Sequence, residues 1–170
     1  MDRGQVHLYC GDGKGKTTAA MGLALRALGQ GIRVTVVQFL KSGNSGELEP
    51  LRRLGAKIFT GKAGTKFVSR MTETEKAETR ALHDQNLQAA LETDCGLLIL
   101  DEACAAAAYG LVDETLLKRA VLERPVFREI VLTGRDPADW MRDAAGYITE
   151  MTCVRHPYQQ GIAARKGVEF

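Results

Sequence analysis

The residues best suited to chemistry stand near the start of the sequence, where positions 10–18 read Cys10-Gly11-Asp12-Gly13-Lys14-Gly15-Lys16-Thr17-Thr18. A Gly-rich turn between a strand and a helix aims several backbone N–H groups into one small space, and the helix N-terminus adds partial positive charge there. Lys16 supplies a mobile full charge, and the Thr17 hydroxyl is a ligand for Mg²⁺. That set suits a polyphosphate, and so a nucleotide. The phosphate-loop pattern G-x-x-x-x-G-K-[ST] asks for a glycine where this chain has Cys10. The departure predicts a loop whose grip on phosphates differs from the common one. The bland alternative is an ordinary Gly-rich turn with Lys16 as a solvated surface charge.

A second candidate is Asp101-Glu102, which follows the apolar run Leu97-Leu98-Ile99-Leu100. An acidic pair closing a strand offers the oxygen ligands that a hard cation such as Mg²⁺ requires, directly or through water. Alone, the pair reads equally well as solvated acids; beside Lys16-Thr17 in one α/β pattern, the metal reading is favoured. Arg135 also ends a strand on the inferred ligand side, where it either touches a phosphate or pairs with Asp136 or Asp139. His7, His83 and His156 are assigned no chemical role: His83 falls mid-helix among charged neighbours, and His156 precedes Pro157 as a structural residue. No Ser/His/Asp set and no carboxylate pair suited to acid–base work is evident. A reaction here would depend on positioning and on neutralising a leaving polyphosphate.

The elements that must position these residues follow from periodicity. Short apolar runs predict strands at 6–9, 34–40, 57–59, 97–100, 129–133 and 147–150. Several are apolar almost throughout, as strands buried on both faces of a parallel sheet are. Amphipathic stretches predict helices at 17–28, 47–54, 72–91, 113–122 and 137–144, with Thr72 or Thr74, Asp113 and Asp136 as caps and Pro137 at a first helical position. Strand and helix in alternation give an α/β three-layer sandwich with a mainly parallel sheet. Ligands sit beyond the carboxyl ends of such strands, which directs attention to residues 10–16, 38–41, 101–102 and 133–135. Residues 61–70, rich in Gly and Lys, hold no period and are expected to be the least ordered.

The bulk properties agree. A chain of 170 residues, 45% hydrophobic and 26% charged, is expected to form one globular domain. A net charge of +2 predicts no strong attraction to nucleic acid or to a membrane surface. Cys10, Cys95, Cys104 and Cys153 form no C-x-x-C pair, which argues against zinc and for buried thiols in a reducing compartment. With no secretory h-region and no apolar run of membrane-spanning length, a cytoplasmic protein is expected.

Several stretches together resemble one family. They are the loop Gly11 to Ala20, then Val36-Val37-Gln38-Phe39-Leu40-Lys41, Leu100-Asp101-Glu102 and Val131-Leu132-Thr133-Gly134-Arg135, followed by the tail from Ile148 through Arg155-His156-Pro157 to Phe170. The sequence is similar to the P-loop type of ATP:corrinoid adenosyltransferases, the cob(I)alamin adenosyltransferases, from about residue 5 to the C-terminus and most weakly over 42–96. The resemblance implies a RecA-like P-loop fold in a homodimer. It implies transfer of the 5′-deoxyadenosyl group of ATP to the cobalt of a reduced corrinoid, cob(I)alamin or cobinamide, with release of triphosphate. The nucleophile is Co(I) itself, consistent with the missing protein base, and ATP lies across the loop in the reverse of the usual sense. The resemblance assigns the triphosphate to the N–H groups of Gly11, Asp12, Gly13, Lys14, Gly15, Lys16, Thr17 and Thr18 and to the Lys16 ammonium. It assigns Mg²⁺ to Thr17 and Glu102, with Asp101 in support. Asp12 stands where relatives often carry Asn.

Relatives use aromatic side chains after the third strand to exclude the lower axial ligand of cobalt, which eases reduction of Co(II) by a flavodoxin-type donor. Phe67 is the candidate here, with Met71 as a possible soft apolar cover; Phe67 reads equally as core beneath a loop. Longer relatives carry an N-terminal extension over the active site, which this chain is expected to lack. Two other readings need fewer residues: a P-loop small-molecule kinase or NTPase, and a corrinoid or nucleotide carrier without turnover. The reaction products separate them, since free triphosphate belongs to adenosyl transfer alone.

Overall fold

A computed structural model describes residues 3–64 and 66–168. Six strands, β1 (Val6–Cys10), β2 (Val34–Gln38), β3 (Lys57–Thr60), β4 (Leu97–Asp101), β5 (Glu129–Thr133) and β6 (Tyr147–Glu150), form one sheet in the order β3-β2-β4-β5-β1-β6. Every pairing is parallel. The central strands β2 and β4 are buried along their whole length, which explains their unbroken apolar runs. Each fully buried Leu or Ile in β4 contributes about 1.5–3 kcal/mol relative to exposure.

Six helices alternate with the strands: α1 (Lys16–Gly29), α2 (Leu48–Arg53), α3 (Glu73–Leu91), α4 (Ala103–Ala108), α5 (Glu114–Leu122) and α6 (Asp139–Ala144). Two core clusters separate cleanly. Ala20, Met21, Ala24 and Ala27 of α1 and Leu51 of α2 pack on Val34, Val36, Leu97, Ile99 and Val131 from one face of the sheet. Leu87, Cys104, Leu117 and Met141, from α3 to α6, pack on Leu8, Val37, Leu98, Leu100 and Leu132 from the other. The result is the expected α/β three-layer sandwich.

Local chemistry explains the helix starts. Thr72 closes a capping box with Glu75 at the head of α3, and Asp113 caps α5 through the Leu116 N–H. Two expectations are corrected, and one further helix appears. Strand β2 ends at Gln38 rather than at residue 40, because Leu40 enters the left-handed region at φ 60 and turns the chain out of the sheet. Helix α6 begins at Asp139 with Ala138 at its cap, so neither Asp136 nor Pro137 starts it. Helix α4 had no sequence signal of its own, because Glu102 makes the whole strand-to-helix turn by itself at φ 61. Between β3 and α3, residues Val68–Arg70 form a single 3₁₀ turn. The predicted irregular segment includes Thr65, and the family-like tail and the N-terminus include Glu169, Phe170, Met1 and Asp2; these five lie outside the described residues. No helix among the described residues is long and apolar enough to cross a membrane.

Candidate active site

The phosphate loop is shaped by close approach of the chain that follows β6. Gly13 donates its N–H to the Met151 carbonyl at 2.6 Å, and Met151 donates to the Cys10 carbonyl at 2.8 Å. A Cβ on Gly11, whose φ is 97, would lie 2.4 Å from the Met151 oxygen, and one on Gly13 would lie 2.7 Å from it. Glycine is required at both positions for this reason. The Asp12 carboxylate faces the same strap, accepting from the Cys153 N–H at 2.9 Å, and Lys14 donates to the Val168 carbonyl at 3.1 Å. Gly15 stands in the left-handed region at the head of α1 with no side-chain cap. A helix start without a side-chain cap is the geometry in which first-turn N–H groups can receive an anion.

Cys10 is the last residue of β1 and is fully buried in the core on the α4 side, so its side chain belongs to the core and not to the loop. The phosphate loop proper begins at Gly11. Lys16 curls over the loop and donates to the carbonyls of Gly11 and Gly13, both at 2.7 Å. Thr18 is exposed on the outer side of the first turn.

Asp101 is the hub of the site. It is fully buried, and its carboxylate accepts four hydrogen bonds: from Thr17 Oγ1 at 2.8 Å, Thr133 Oγ1 at 2.7 Å, Gln38 Nε2 at 3.1 Å and Lys41 Nζ at 2.8 Å. Lys41 Nζ also reaches Thr17 Oγ1 at 3.3 Å. Thr133 accepts in turn from the Glu102 N–H at 2.9 Å, which fixes the left-handed turn that points Glu102 back toward the loop. The ends of four elements, β2, β4, β5 and α1, meet on this one carboxylate. Sequence reasoning inspected residues 38–41 as a strand end yet assigned Lys41 no role.

Burial, and then the neighbouring Asp101, push the Glu102 carboxyl above the ordinary carboxylate range, against the pull of Lys41, Lys16 and Arg135. Arg135 is exposed and forms no ion pair with Asp136 or Asp139; its carbonyl accepts from the Gly11 N–H at 3.2 Å. Burial also drives the Cys104 thiol up to about 12, which keeps it an inert core residue.

Phe67 is 79% exposed, so it is not core beneath a loop, whereas Met71 is buried and offers no cover to a ligand. His83, expected mid-helix among charged neighbours, lies within α3 as read. It is fully buried, with both ring nitrogens bonded to backbone groups. His156 has a local structural role, accepting from the Tyr158 N–H at 3.1 Å. Among the described residues, no cluster of three or more His, Cys, Asp or Glu side chains gathers to hold a metal. The Thr17 hydroxyl bonded to the Asp101 carboxylate, and the Glu102 carboxylate that senses Asp101, Lys41 and Lys16 electrostatically, are hard oxygens of the kind Mg²⁺ takes when phosphates complete its shell.

A parallel sheet with a Gly-rich loop, a lysine and a hydroxyl at its ligand edge defines a P-loop nucleotide-binding α/β protein. A KaiC-like protein from Pyrococcus horikoshii shares the fold with a TM-score of 0.55 at 17% identity, over 88% of this chain and 73% of that one. The family model for ATP:corrinoid adenosyltransferases of the BtuR/CobO/CobP type matches residues 2–170, and the chain belongs to that family. It is 34% identical to a corrinoid adenosyltransferase of Pseudomonas aeruginosa, over 99% of this chain and 85% of the relative. It is 29% identical to the corrinoid adenosyltransferase CobA of Salmonella typhimurium, over 99% of this chain and 87% of the relative.

Proposed function

We propose that the protein joins the 5′-deoxyadenosyl group of ATP to the cobalt of a reduced corrinoid and that the Asp101 hub organises the leaving triphosphate. The observation carrying the residue assignments is the convergence of Thr17, Lys41 and Asp101 beside Lys16, in a chain that matches the adenosyltransferase family over its length. Co(I) of the substrate attacks the ribose C5′. A Co–C bond forms, the C5′–O bond breaks, and triphosphate leaves with the electron pair. No protein base is needed, because the nucleophile carries no proton to remove.

The chain's own contribution is then positional and electrostatic. The N–H groups of Gly11 to Thr18 cradle the triphosphate. Lys16 exchanges its bonds to the loop carbonyls for phosphate oxygens, and Arg135 adds charge from the end of β5. Mg²⁺, held by Thr17 and Glu102 with Asp101 behind them, would neutralise the polyphosphate. Asp101 already accepts four hydrogen bonds, which suits it to orienting the Thr17 hydroxyl and Lys41 more than to direct ligation. The exposed Phe67 is assigned to the corrinoid, as the cover that removes the lower axial ligand before a flavodoxin-type protein delivers an electron. We further assign a homodimer in the cytoplasm. The support for the dimer is the apolar surface of β6 and the following segment, where Tyr147, Ile148, Val154 and Ile162 are all exposed.

The deciding experiment mixes the protein anaerobically with Mg-ATP and chemically reduced cob(I)alamin, and follows the light-sensitive Co–C product together with triphosphate. Stoichiometric product and triphosphate are expected, and Lys16→Ala should slow formation by about 10²–10³. Release of ADP or orthophosphate instead would replace this reading with a kinase or NTPase.

A further inference from the structure

We propose that His83 is a positioning residue that sets the Lys41 ammonium on the triphosphate end of the site; the inference deepens the adenosyltransferase reading and rests on it. His83 lies within α3, far along the chain from the loop, yet its ring reaches the residue that precedes Lys41. Leu40 donates its N–H to His83 Nε2 at 3.2 Å, and His83 Nδ1 bonds the Leu111 carbonyl at 2.7 Å. Of these partners the Leu40 N–H can only donate, and it is the one that assigns the tautomer of the neutral ring. A carbonyl needs a donor, so the proton is on Nδ1; a backbone N–H needs an acceptor, so Nε2 carries the lone pair.

The bonded residue is a strained one. Leu40 is one of only two non-glycine residues with positive φ among the described residues, and the other is Glu102, within the site. Side chains other than glycine resist the left-handed region. Here an imidazole anchored at its far side to the Leu111 carbonyl pins the strained N–H in place. The ring is also held edge-on by Phe39, with centroids 5.1 Å apart. The next residue is Lys41, whose Nζ bonds both Asp101 and Thr17. A β2 that ran on extended through Leu40 would carry Lys41 away along the strand direction. The latch therefore converts a strand end into a turn that delivers a cation.

Burial favours the neutral ring that the latch requires; the Leu111 and Gly61 carbonyls and Asp84 on the same helix pull the other way and are outweighed. A ring that only filled space would not need an acceptor aimed at Leu40.

The test is calorimetric binding of Mg-ATP to the full chain, without corrinoid, so that it reads the latch whether or not adenosyl transfer occurs. Asn and Gln carry the same amide but differ in reach. His83→Asn falls short of the Leu40 N–H and should weaken ATP binding about tenfold, the scale of one lost charge contact. His83→Gln places its oxygen near the Nε2 position and should recover most of that loss. Leu40→Gly, which enters the left-handed region freely, should rescue His83→Asn in part. In a Lys41→Met background, His83→Asn should cost nothing further. Equal binding by the Asn and Gln variants, no rescue by Leu40→Gly, or full additivity with Lys41→Met would each overturn the proposal. If the latch behaves as expected while the native protein yields no Co–C product, the adenosyltransferase reading fails and the latch stands.

Discussion

Glu102 is a carboxylate held where its charge is disfavoured. Its φ of 61, its partial burial and the adjacent Asp101 all exist to aim it at the loop, and burial leads the causes that raise its pKa above the ordinary value of 4.5. A native state that holds a proton more tightly than the unfolded chain gains stability below the unfolded value and loses it as pH rises through the folded one. At neutral pH the ionised group therefore burdens the fold. Glu102→Gln should raise the Tm of the ligand-free protein at pH 7 by about 1–3 °C while depressing adenosylation; calorimetry at pH 7 and pH 4 checks it, with the gain vanishing at the lower pH. The residues legible in the sequence were those whose meaning is local: Lys16, Thr17 and the Asp101-Glu102 pair sit in motifs a few residues long. Lys41 and His83 were not legible, because their roles are contacts to Asp101 and Leu40, 60 and 43 positions away. Arginine, lysine and histidine at strand ends or within amphipathic helices carry no sign of which distant group they will meet.

Among the elements, all six strands and five of the six helices could be read from period and caps, since burial on both faces writes itself as an apolar run. Besides the late start of α6, the misjudged end of β2 and the missed α4 have one cause. Leu40 and Glu102 turn the chain through left-handed backbone, and neither is the glycine or asparagine that signals such a turn, so β2 was read too long and α4 was missed. The strap after β6 gives Asp12 a purpose that its charge obscured. Its Oδ1 accepts from Cys153, a bond that an asparagine oxygen makes equally well. Asp12→Asn should leave the strap intact and, by removing a negative charge beside the loop, tighten Mg-ATP binding about two- to fivefold. Asp12→Ala should loosen the strap at a cost of about 1 kcal/mol and expose residues beyond 151 to limited proteolysis.

For the whole molecule, the edge of the sheet matters most. Among the described residues, strand β6 pairs only with β1, and all four of its residues are exposed. An unpaired strand edge flanked by Tyr147, Ile148, Val154 and Ile162 is a surface that isolated proteins usually cover. Light scattering should therefore give twice the mass of the 18.5 kDa chain, and Ile148→Asp should return it to one. A monomer at all micromolar concentrations would remove the dimer from the proposed function.

The strand order has a consequence for how the protein is made. β1 carries the phosphate loop and is synthesised first, yet its neighbours are β5 and β6, with Val6 paired to Ile130 and His7 to Tyr147. Until those strands leave the ribosome, Val6 and Leu8 have no bed to lie in, and the loop has neither Arg135 nor Met151 to bond. Such distant pairing is slow to form and leaves apolar chain open to association in the meantime. The nascent protein thus waits for β5 and β6 before it can hold a nucleotide, and a chain interrupted before β5 is left with an unpaired β1 and an unformed site.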